Sequence, residues 1–336
     1  MQAAIYGLEG FELSGEERSF FRDCEPAGFI LFKRNCEDPA QLLRLTGALR
    51  DLTGRADLPI LIDQEGGRVA RMRPPAWPAF PAAERFSQLY ALAPSSAIEA
   101  ARANARALAL ALRSCGINVN ALPLLDVRQE GASDIIGDRA LGSEPMQVAA
   151  LGRVVLDGMA SAGVVGIVKH MPGHGRALVD SHKELPVVSA TAEQLETDLE
   201  PFERLASAPM GMTAHVVYTA WDADRPASLS PTVIGDVIRG RIGFDGFLMS
   251  DDIGMEALQG DFGGRASGVV AAGCDAALHC SGKMDEMIAV AKAAPRLTPE
   301  SEARLARAMA VTLVEDDDGP TFAAAVAKLD ELLALV

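Results

Sequence analysis

The chain has 336 residues, of which 49% are hydrophobic, and a formal net charge of −15. An acidic surface repels phosphate, and the few aromatic residues are not interleaved with Arg or Lys, so we expect no nucleic-acid partner. The five cysteines are scattered without a C-x-x-C pair, and we see neither a secretory leader nor an apolar run of about 18 residues. We therefore expect a soluble, cytoplasmic protein with reduced thiols and no membrane partner.

Short apolar runs alternate along the chain with longer amphipathic segments. The predicted strands are Ala3–Tyr6, Gly28–Phe32, Pro59–Asp63, Asn118–Leu122, Val165–Lys169, Gly211–His215, Gly246–Ser250 and Ala276–His279. The predicted helices include Pro39–Leu52, Ser96–Cys115, Met146–Ala162, Ala192–Ala206 and Pro231–Arg239, with Asp38 and Ser230 as N-caps. Eight strands alternating with helices predict an α/β fold, a parallel sheet closed into a (β/α)₈ TIM barrel.

We expect a single domain covering residues 1–336, because no linker-like composition shift, repeat or low-complexity tract divides the chain. The tail, from about residue 298 to 336, is predicted to form two further helices packed on the outside of the barrel. The proline cluster Pro74–Pro78 is predicted to be a rigid loop at the barrel mouth.

Ionisable residues follow the carboxyl ends of the predicted strands, where active sites of barrel enzymes lie. They are Asp63, Asp126, Lys169, His170, His215, Asp251 and Asp252. Side chains alternate along a strand, so one carboxylate of the Asp251–Asp252 pair is expected to face the pocket. The alternative is that both carboxylates cap a helix after Gly254.

The stretch Lys169–His182 contains three of the five histidines: His170, His174 and His182. Pro172 and Gly173 are incompatible with a helix, so the segment is predicted to be a loop that begins at the end of a buried strand. Catalytic residues are commonly held on such loops above a rigid scaffold. The alternative is a structural loop whose polar residues face water.

Two long motifs resemble the signature pair of the family 3 β-N-acetylglucosaminidases, bacterial exo-enzymes of peptidoglycan recycling. They are Lys169-His170-Met171-Pro172-Gly173-His174-Gly175 with Asp180-Ser181-His182, and Ser250-Asp251-Asp252-Ile253-Gly254-Met255. Segments 28–35, 63–71, 136–140 and 212–216 support the resemblance, which runs from about residue 5 to about residue 290. Met171, where phenylalanine is usual, and Ile253-Gly254, where Leu-Ser is common, depart from the pattern without changing an ionisable group.

The resemblance implies a retaining hydrolysis in which Asp251 is the nucleophile. It also implies that His182 is the general acid/base, paired with Asp180. The residues implied to bind the terminal N-acetylglucosamine are Asp63, Arg71, Arg139, Lys169 and His170. The implied substrate is a muropeptide, N-acetylglucosamine linked to 1,6-anhydro-N-acetylmuramic acid with or without peptide. We further expect a monomer that needs no cofactor and no metal.

Physical chemistry supports the histidine assignment. An imidazole with an ordinary pKa of about 6.5 can donate a proton to a leaving oxygen and then accept one from water near neutral pH. A neighbouring Asp180 would stabilise the imidazolium and orient the ring. We expect this glycine-rich loop to move between open and closed forms during turnover, and His174 to organise it. Arg71 and Arg139 have a structural alternative, salt bridges with Asp126, Asp138 or Glu65.

Three other functions remain open from the sequence. A metal hydrolase would use His170, His174 and His182 with Asp180, although Pro172-Gly173 removes the helix that the spacing of His170 and His174 would need. A phosphorylase on the same scaffold would form a sugar 1-phosphate. A sugar-binding barrel without activity would have no reason to keep Asp251 together with Asp180 and His182.

Overall fold

The computed structural model describes residues 1–181, 183–313 and 319–336. Its strands are β1 (Gln2–Gly7), β2 (Pro26–Leu31), β3 (Ile60–Ile62), β4 (Val119–Asn120), β5 (Val165–Met171), β6 (Val187–Val188), β7 (Met210–Thr213), β8 (Val217–Tyr218), β9 (Asp222–Pro226), β10 (Phe247–Asp252) and β11 (Ala276–His279). Eight parallel strands close a barrel in the order β1-β2-β3-β4-β5-β7-β10-β11, and β11 pairs with β1. The predicted (β/α)₈ barrel is confirmed.

Side-chain alternation divides the core into two layers. Along β1, Ala3 and Ile5 belong to the cluster inside the barrel, whereas Ala4 and Tyr6 belong to the cluster between the strands and the helices. Because both faces of every barrel strand are buried, the strands are nearly continuous apolar runs rather than alternating ones. This explains why the strand positions could be recognised from the sequence.

The helices surround the barrel. They are α1 (Gly15–Cys24), α2 (Pro39–Thr53), α3 (Ala83–Leu92), α4 (Pro94–Ser114), α5 (Pro145–Ala160), α6 (Ala192–Arg204), α7 (Phe262–Ala272), α8 (Met284–Ala293), α9 (Pro299–Met309) and α10 (Phe322–Leu333). The Asp38 carboxylate accepts the N–H of Gln41, as expected of an N-cap before proline. In the tail, α9 contributes Leu305 and Met309 to the cluster inside the barrel, and α10 packs against α3 and α4.

Other elements differ from the prediction. Pro231 and Thr232 are helical but continue into a π-helix, Val233–Arg241, and the Ser230 hydroxyl accepts the N–H of Val233. Strand β4 is two residues long instead of five, and the side-chain oxygens of Asn118 and Asn120 accept the backbone N–H groups of Ile60 and Gln64.

A small sheet in the order β6-β8-β9 was not predicted. It joins the loop after β5 to the loop after β7, and its strands β6 and β8 are two residues long. Within the described part of the chain, the helices are too short or too polar to cross a lipid bilayer.

Candidate active site

A pocket of about 250 Å³ opens at the carboxyl ends of the barrel strands. It brings together six of the predicted site residues: Asp63, Arg71, Arg139, Lys169, His170 and Asp251. Apolar side chains complete part of the wall, among them Ile30, Phe32, Met212, Met255 and Leu278. Charged groups therefore face apolar surface across one small cavity, an arrangement typical of a ligand site.

Asp63 follows β3, and its carboxylate lies between two cations. Lys169 Nζ is 3.2 Å from Oδ1, and Arg71 Nη2 is 3.0 Å from Oδ2. Burial raises the pKa of Asp63, but Lys169 and Arg71 outweigh burial and hold this pKa well below its ordinary value. The Arg71 guanidinium lies 5.0 Å over the ring of Phe32, and its buried Nε has no hydrogen-bond partner among the described residues. The wall of the pocket thus holds an ionised carboxylate and an unused N–H donor.

Glu65 is a central site residue that the sequence interpretation treated only as a possible salt-bridge partner. Arg139 Nε and Nη2 each donate to one of its oxygens at 2.8 Å, and Lys169 Nζ is 2.7 Å from Oε1. The structural alternative for Arg139, a salt bridge with Glu65, is therefore present, although Arg139 also lines the pocket. Glu65 stands two residues after Asp63, and this spacing places both on one face of an extended segment. That spacing was the signal that could have identified it.

The same two carboxylates keep Lys169 charged. Its side chain is 2% exposed, and burial lowers its pKa, but Glu65 and Asp63 outweigh burial and raise the pKa above its ordinary value. The cluster of Asp63, Glu65, Lys169, Arg71 and Arg139, called here the pocket ion cluster, is consequently ionised throughout.

Asp126 orients the histidines that begin the loop after β5. Its Oδ2 is 2.7 Å from His170 Nδ1, and its Oδ1 accepts the backbone N–H groups of His170 at 3.1 Å and of His174 at 2.7 Å. Burial raises the pKa of Asp126, but His170 outweighs it and lowers the pKa to about 2. Because an ionised Asp126 accepts the proton on His170 Nδ1, the Nε2 atom of His170 is available to the pocket.

The two carboxylates at the end of β10 have different surroundings. Asp251 Oδ1 accepts the N–H of Asp252 at 2.8 Å, and although burial raises the pKa of Asp251, His170 and His215 outweigh it and lower the pKa. Asp252 Oδ1 accepts the N–H groups of Gly254 and Cys280, and burial raises the pKa of Asp252. Helix α7 is capped by Asp261 instead, so the pair does not cap a helix.

His215, between β7 and β8, supports this strand end from behind. Its Nε2 lies 3.0 Å from the backbone carbonyl oxygen of Asp252, and its Nδ1 lies 2.7 Å from Ser228 Oγ. Burial lowers the pKa of His215. We therefore assign His215 to the positioning of the Asp251–Asp252 backbone.

The predicted acid/base, His182, lies outside the described residues. Its predicted partner Asp180 is half-buried, does not line the described pocket, and accepts the N–H groups of Lys183 and Glu184 at its backbone carbonyl. Ser181 lines the pocket, and its hydroxyl lies 3.4 Å from His174 Nε2. Burial lowers the pKa of His174 to about 4, so this ring is neutral at neutral pH. The dyad assignment stays a prediction.

No three His, Cys, Asp or Glu side chains within residues 1–181, 183–313 and 319–336 are arranged to hold a metal ion. Of the histidines that the metal-hydrolase alternative would need, His170 directs its Nδ1 to Asp126, and His174 pairs its Nε2 with Ser181.

Comparisons with known proteins agree on one family. The model of the glycosyl hydrolase family 3 N-terminal domain matches residues 3–312. A β-hexosaminidase from Alkalilimnicola ehrlichii is 41% identical over 90% of this chain and 87% of its own length. The crystal structure of native NagZ from Neisseria gonorrhoeae has a TM-score of 0.87 and 32% identity over 99% of this chain and 98% of its own. NagZ of that species in complex with N-trifluoroacetyl-D-glucosamine has a TM-score of 0.88 over the same shares at 32% identity.

Proposed function

This chain belongs to glycosyl hydrolase family 3 and is a glycoside hydrolase, and we propose that it is an exo-acting, retaining β-N-acetylglucosaminidase. The observation that carries the proposal is the position of Asp251 on the wall of a small pocket that also contains the pocket ion cluster. A volume of about 250 Å³ is below the usual range for drug-sized ligands, about 300–1,000 Å³. It suits one terminal sugar ring better than a segment of polymer.

The proposed chemistry has two steps. Asp251, kept ionised by His170 and His215, attacks the anomeric carbon and forms a covalent glycosyl-enzyme while His182 donates a proton to the leaving oxygen. His182 then accepts a proton from water, which attacks the same carbon and releases the sugar with its configuration retained. Asp180 would stabilise the imidazolium between the steps.

The pocket ion cluster supplies what sugar hydroxyls need. Asp63 offers carboxylate acceptors, while Arg71, Arg139 and Lys169 offer N–H donors, and the Nε2 atom of His170 adds a group that can donate or accept. The ion pairs already hold these groups in place before the substrate arrives, which reduces the entropy lost on binding.

For the natural substrate we propose a muropeptide with a terminal N-acetylglucosamine, hydrolysed in the cytoplasm by a monomer during cell-wall recycling. The structural neighbour that was crystallised with an N-acylated glucosamine supports N-acetylglucosamine as the terminal sugar. The five cysteines are all free thiols, which supports a reducing compartment. The named relatives give no support to the phosphorylase alternative.

The test is hydrolysis of a chromogenic β-N-acetylglucosaminide beside the matching β-glucoside, in the presence of chelator and without phosphate. We expect release from the acetamido sugar alone, and none from Asp251→Asn. Equal rates on the two sugars would contradict the proposed preference for N-acetylglucosamine. Activity that depends on added phosphate, with formation of a sugar 1-phosphate, would contradict hydrolysis, and activity lost to chelator would contradict a mechanism without metal.

A further inference from the structure

The loop after β5 is fixed to its surroundings in its first part. Asp126 accepts the backbone N–H of His174 at 2.7 Å, and the buried hydroxyl of Tyr218 donates to the carbonyl oxygen of Gly173 at 2.7 Å. These contacts come from the segment that follows β4 on one side and from the small sheet on the other.

An ion pair between a half-buried arginine and a buried aspartate adds a third attachment. Arg176 Nε lies 2.6 Å from Asp198 Oδ2, and Arg176 Nη2 donates to the carbonyl oxygen of Gln194 at 2.8 Å, so the guanidinium holds two successive turns of α6. Asp198 is 1% exposed. Gly173 lies so close to it that an added Cβ would stand 3.0 Å from the Cβ of Asp198.

The ion pair is costly as a source of stability. Asp198 is surrounded by Arg176, by Asp126 and by the phenol of Tyr218, and its Oδ1 has no hydrogen-bond partner among the described residues. Burial raises the pKa of Asp198 to about 6 even though Arg176 lowers it. Replacing such a pair by apolar residues often costs no stability. What the pair does provide is a defined position for the backbone at residue 176.

Directly after this attachment the loop is exposed. The Leu178 side chain is 70% exposed, whereas Ala177, one residue earlier, is 2% exposed. We propose that the Arg176–Asp198 pair fixes the start of the acid/base loop and makes Arg176 a positioning residue for the chemistry carried by residues 180–182. The inference rests on the proposed function, since it takes the proton donor to lie on this loop.

The experiment compares Arg176→Met with Arg176→Lys on two β-N-acetylglucosaminides, one with a good leaving group and one with a poor one. A leaving group of low basicity departs without a proton, so only the poor one depends on the acid. We expect Arg176→Met to lose kcat about 10- to 100-fold on the poor leaving group, with KM and the good leaving group changed less than about threefold, since displacements of about 1 Å cost rates of this order. Arg176→Lys should recover part of the loss.

The matched control is Glu200→Gln, which removes the exposed pair of Glu200 with Arg204 from the same helix. This variant should leave kcat and KM unchanged on both substrates. Equal losses on both substrates in Arg176→Met, or no loss on either, would overturn the inference. If Arg176→Met does not fold, Asp198→Asn serves as the second variant, because it keeps the volume of the side chain. It should show the same difference between the two substrates.

His182→Ala, measured in parallel, separates the two proposals. If its loss is the same for both leaving groups, the acid/base assignment fails and the inference falls with it. If its loss depends on the leaving group while that of Arg176→Met does not, the proposed function stands and the inference alone is overturned. Hydrogen exchange gives an independent measure, with the amides of 173–177 expected to exchange faster in Arg176→Met than in the parent protein.

Discussion

The two ends of the barrel each carry a buried ion cluster, and the two clusters differ in how completely they are satisfied. At the amino-terminal end, Asp275 lies among four donors. Its Oδ2 accepts from Arg239 Nη2 at 2.9 Å and from the N–H of Leu248 at 2.8 Å, while its Oδ1 accepts from Ser301 Oγ at 2.6 Å and from Arg304 Nη1 at 3.2 Å. This cluster ties α9 to the floor of the barrel.

At the carboxyl end, the pocket ion cluster contains five charged side chains and borders a cavity. Arg71 keeps a buried Nε without a partner among the described residues, and Asp63 is bonded only by Lys169 and Arg71, which both line the cavity. Buried, paired charges are thus found at both ends of the barrel, so they do not by themselves identify a functional site. A hydrogen-bonding group without a partner beside a cavity is what identifies the carboxyl end as the functional one.

The largest effect should come from Asp251→Asn. Loss of the nucleophile should lower kcat by about 10⁴-fold or more on either leaving group. The melting temperature should fall as well, because the lowered pKa of Asp251 means that its charged form is stabilised in the folded protein by His170 and His215. The measurements are steady-state kinetics and thermal unfolding, and a variant with a tenth of the parent rate would rule out this nucleophile.

Lys169→Met should damage both stability and activity. It leaves Glu65 and Asp63 without their shared cation in a buried place, and uncompensated buried charge costs about 3–5 kcal/mol. Urea unfolding measures the loss, and kcat/KM for the acetamido sugar should fall with it. Unchanged stability would mean that Arg71 and Arg139 alone neutralise the two carboxylates.

Arg304→Met disrupts the ion cluster at the amino-terminal end of the barrel and tests whether that cluster affects stability alone. The free energy of unfolding should fall by about 3 kcal/mol or less, since the Arg304 side chain is 13% exposed and Arg239 still pairs with Asp275. kcat/KM should stay within about twofold of the parent value at temperatures where the variant is folded. A large loss of kcat/KM there would show that the floor does influence the pocket.

The pH dependence of stability should show the smallest effect. Because the pKa of Asp126 is lowered to about 2 in the folded protein, its contribution to stability is present above its ordinary value and is lost as the pH falls through about 2. The contribution corresponds to about 2 kcal/mol. Asp126→Asn should therefore flatten the decline in unfolding free energy between about pH 4 and pH 2, and a decline of the same slope would contradict the assignment.

The barrel could be predicted from the sequence because its strands are apolar runs that end in ionisable residues. The ion pairs of Glu65 could not, because they depend on how the chain folds back after Asp63. Gly66 and Gly67 adopt positive φ there, and the Gln64 side chain bonds the backbone of Met72. The positions of the residues could be recognised, but which of them touch depends on this turn.

The small sheet and the π-helix could not be predicted from the sequence for a different reason. Val187–Val188 and Val217–Tyr218 are too short to show a period, and their pairing joins segments 30 residues apart. The widened turn of Val233–Arg241 has the same amphipathic pattern as an ordinary helix. In both cases tertiary contacts, not local preference, decide the outcome.

The pairing of β6 with β8 has a consequence for engineering. The loop that carries Asp180 and the loop that carries His215 share backbone hydrogen bonds, from Val217 to Pro186 and from Thr219 to Val188. A chimera that receives only one of these loops from a relative would lose register with the other. The two loops should be exchanged together, as one cassette of about residues 172–230, when the leaving-group range of this enzyme is redesigned.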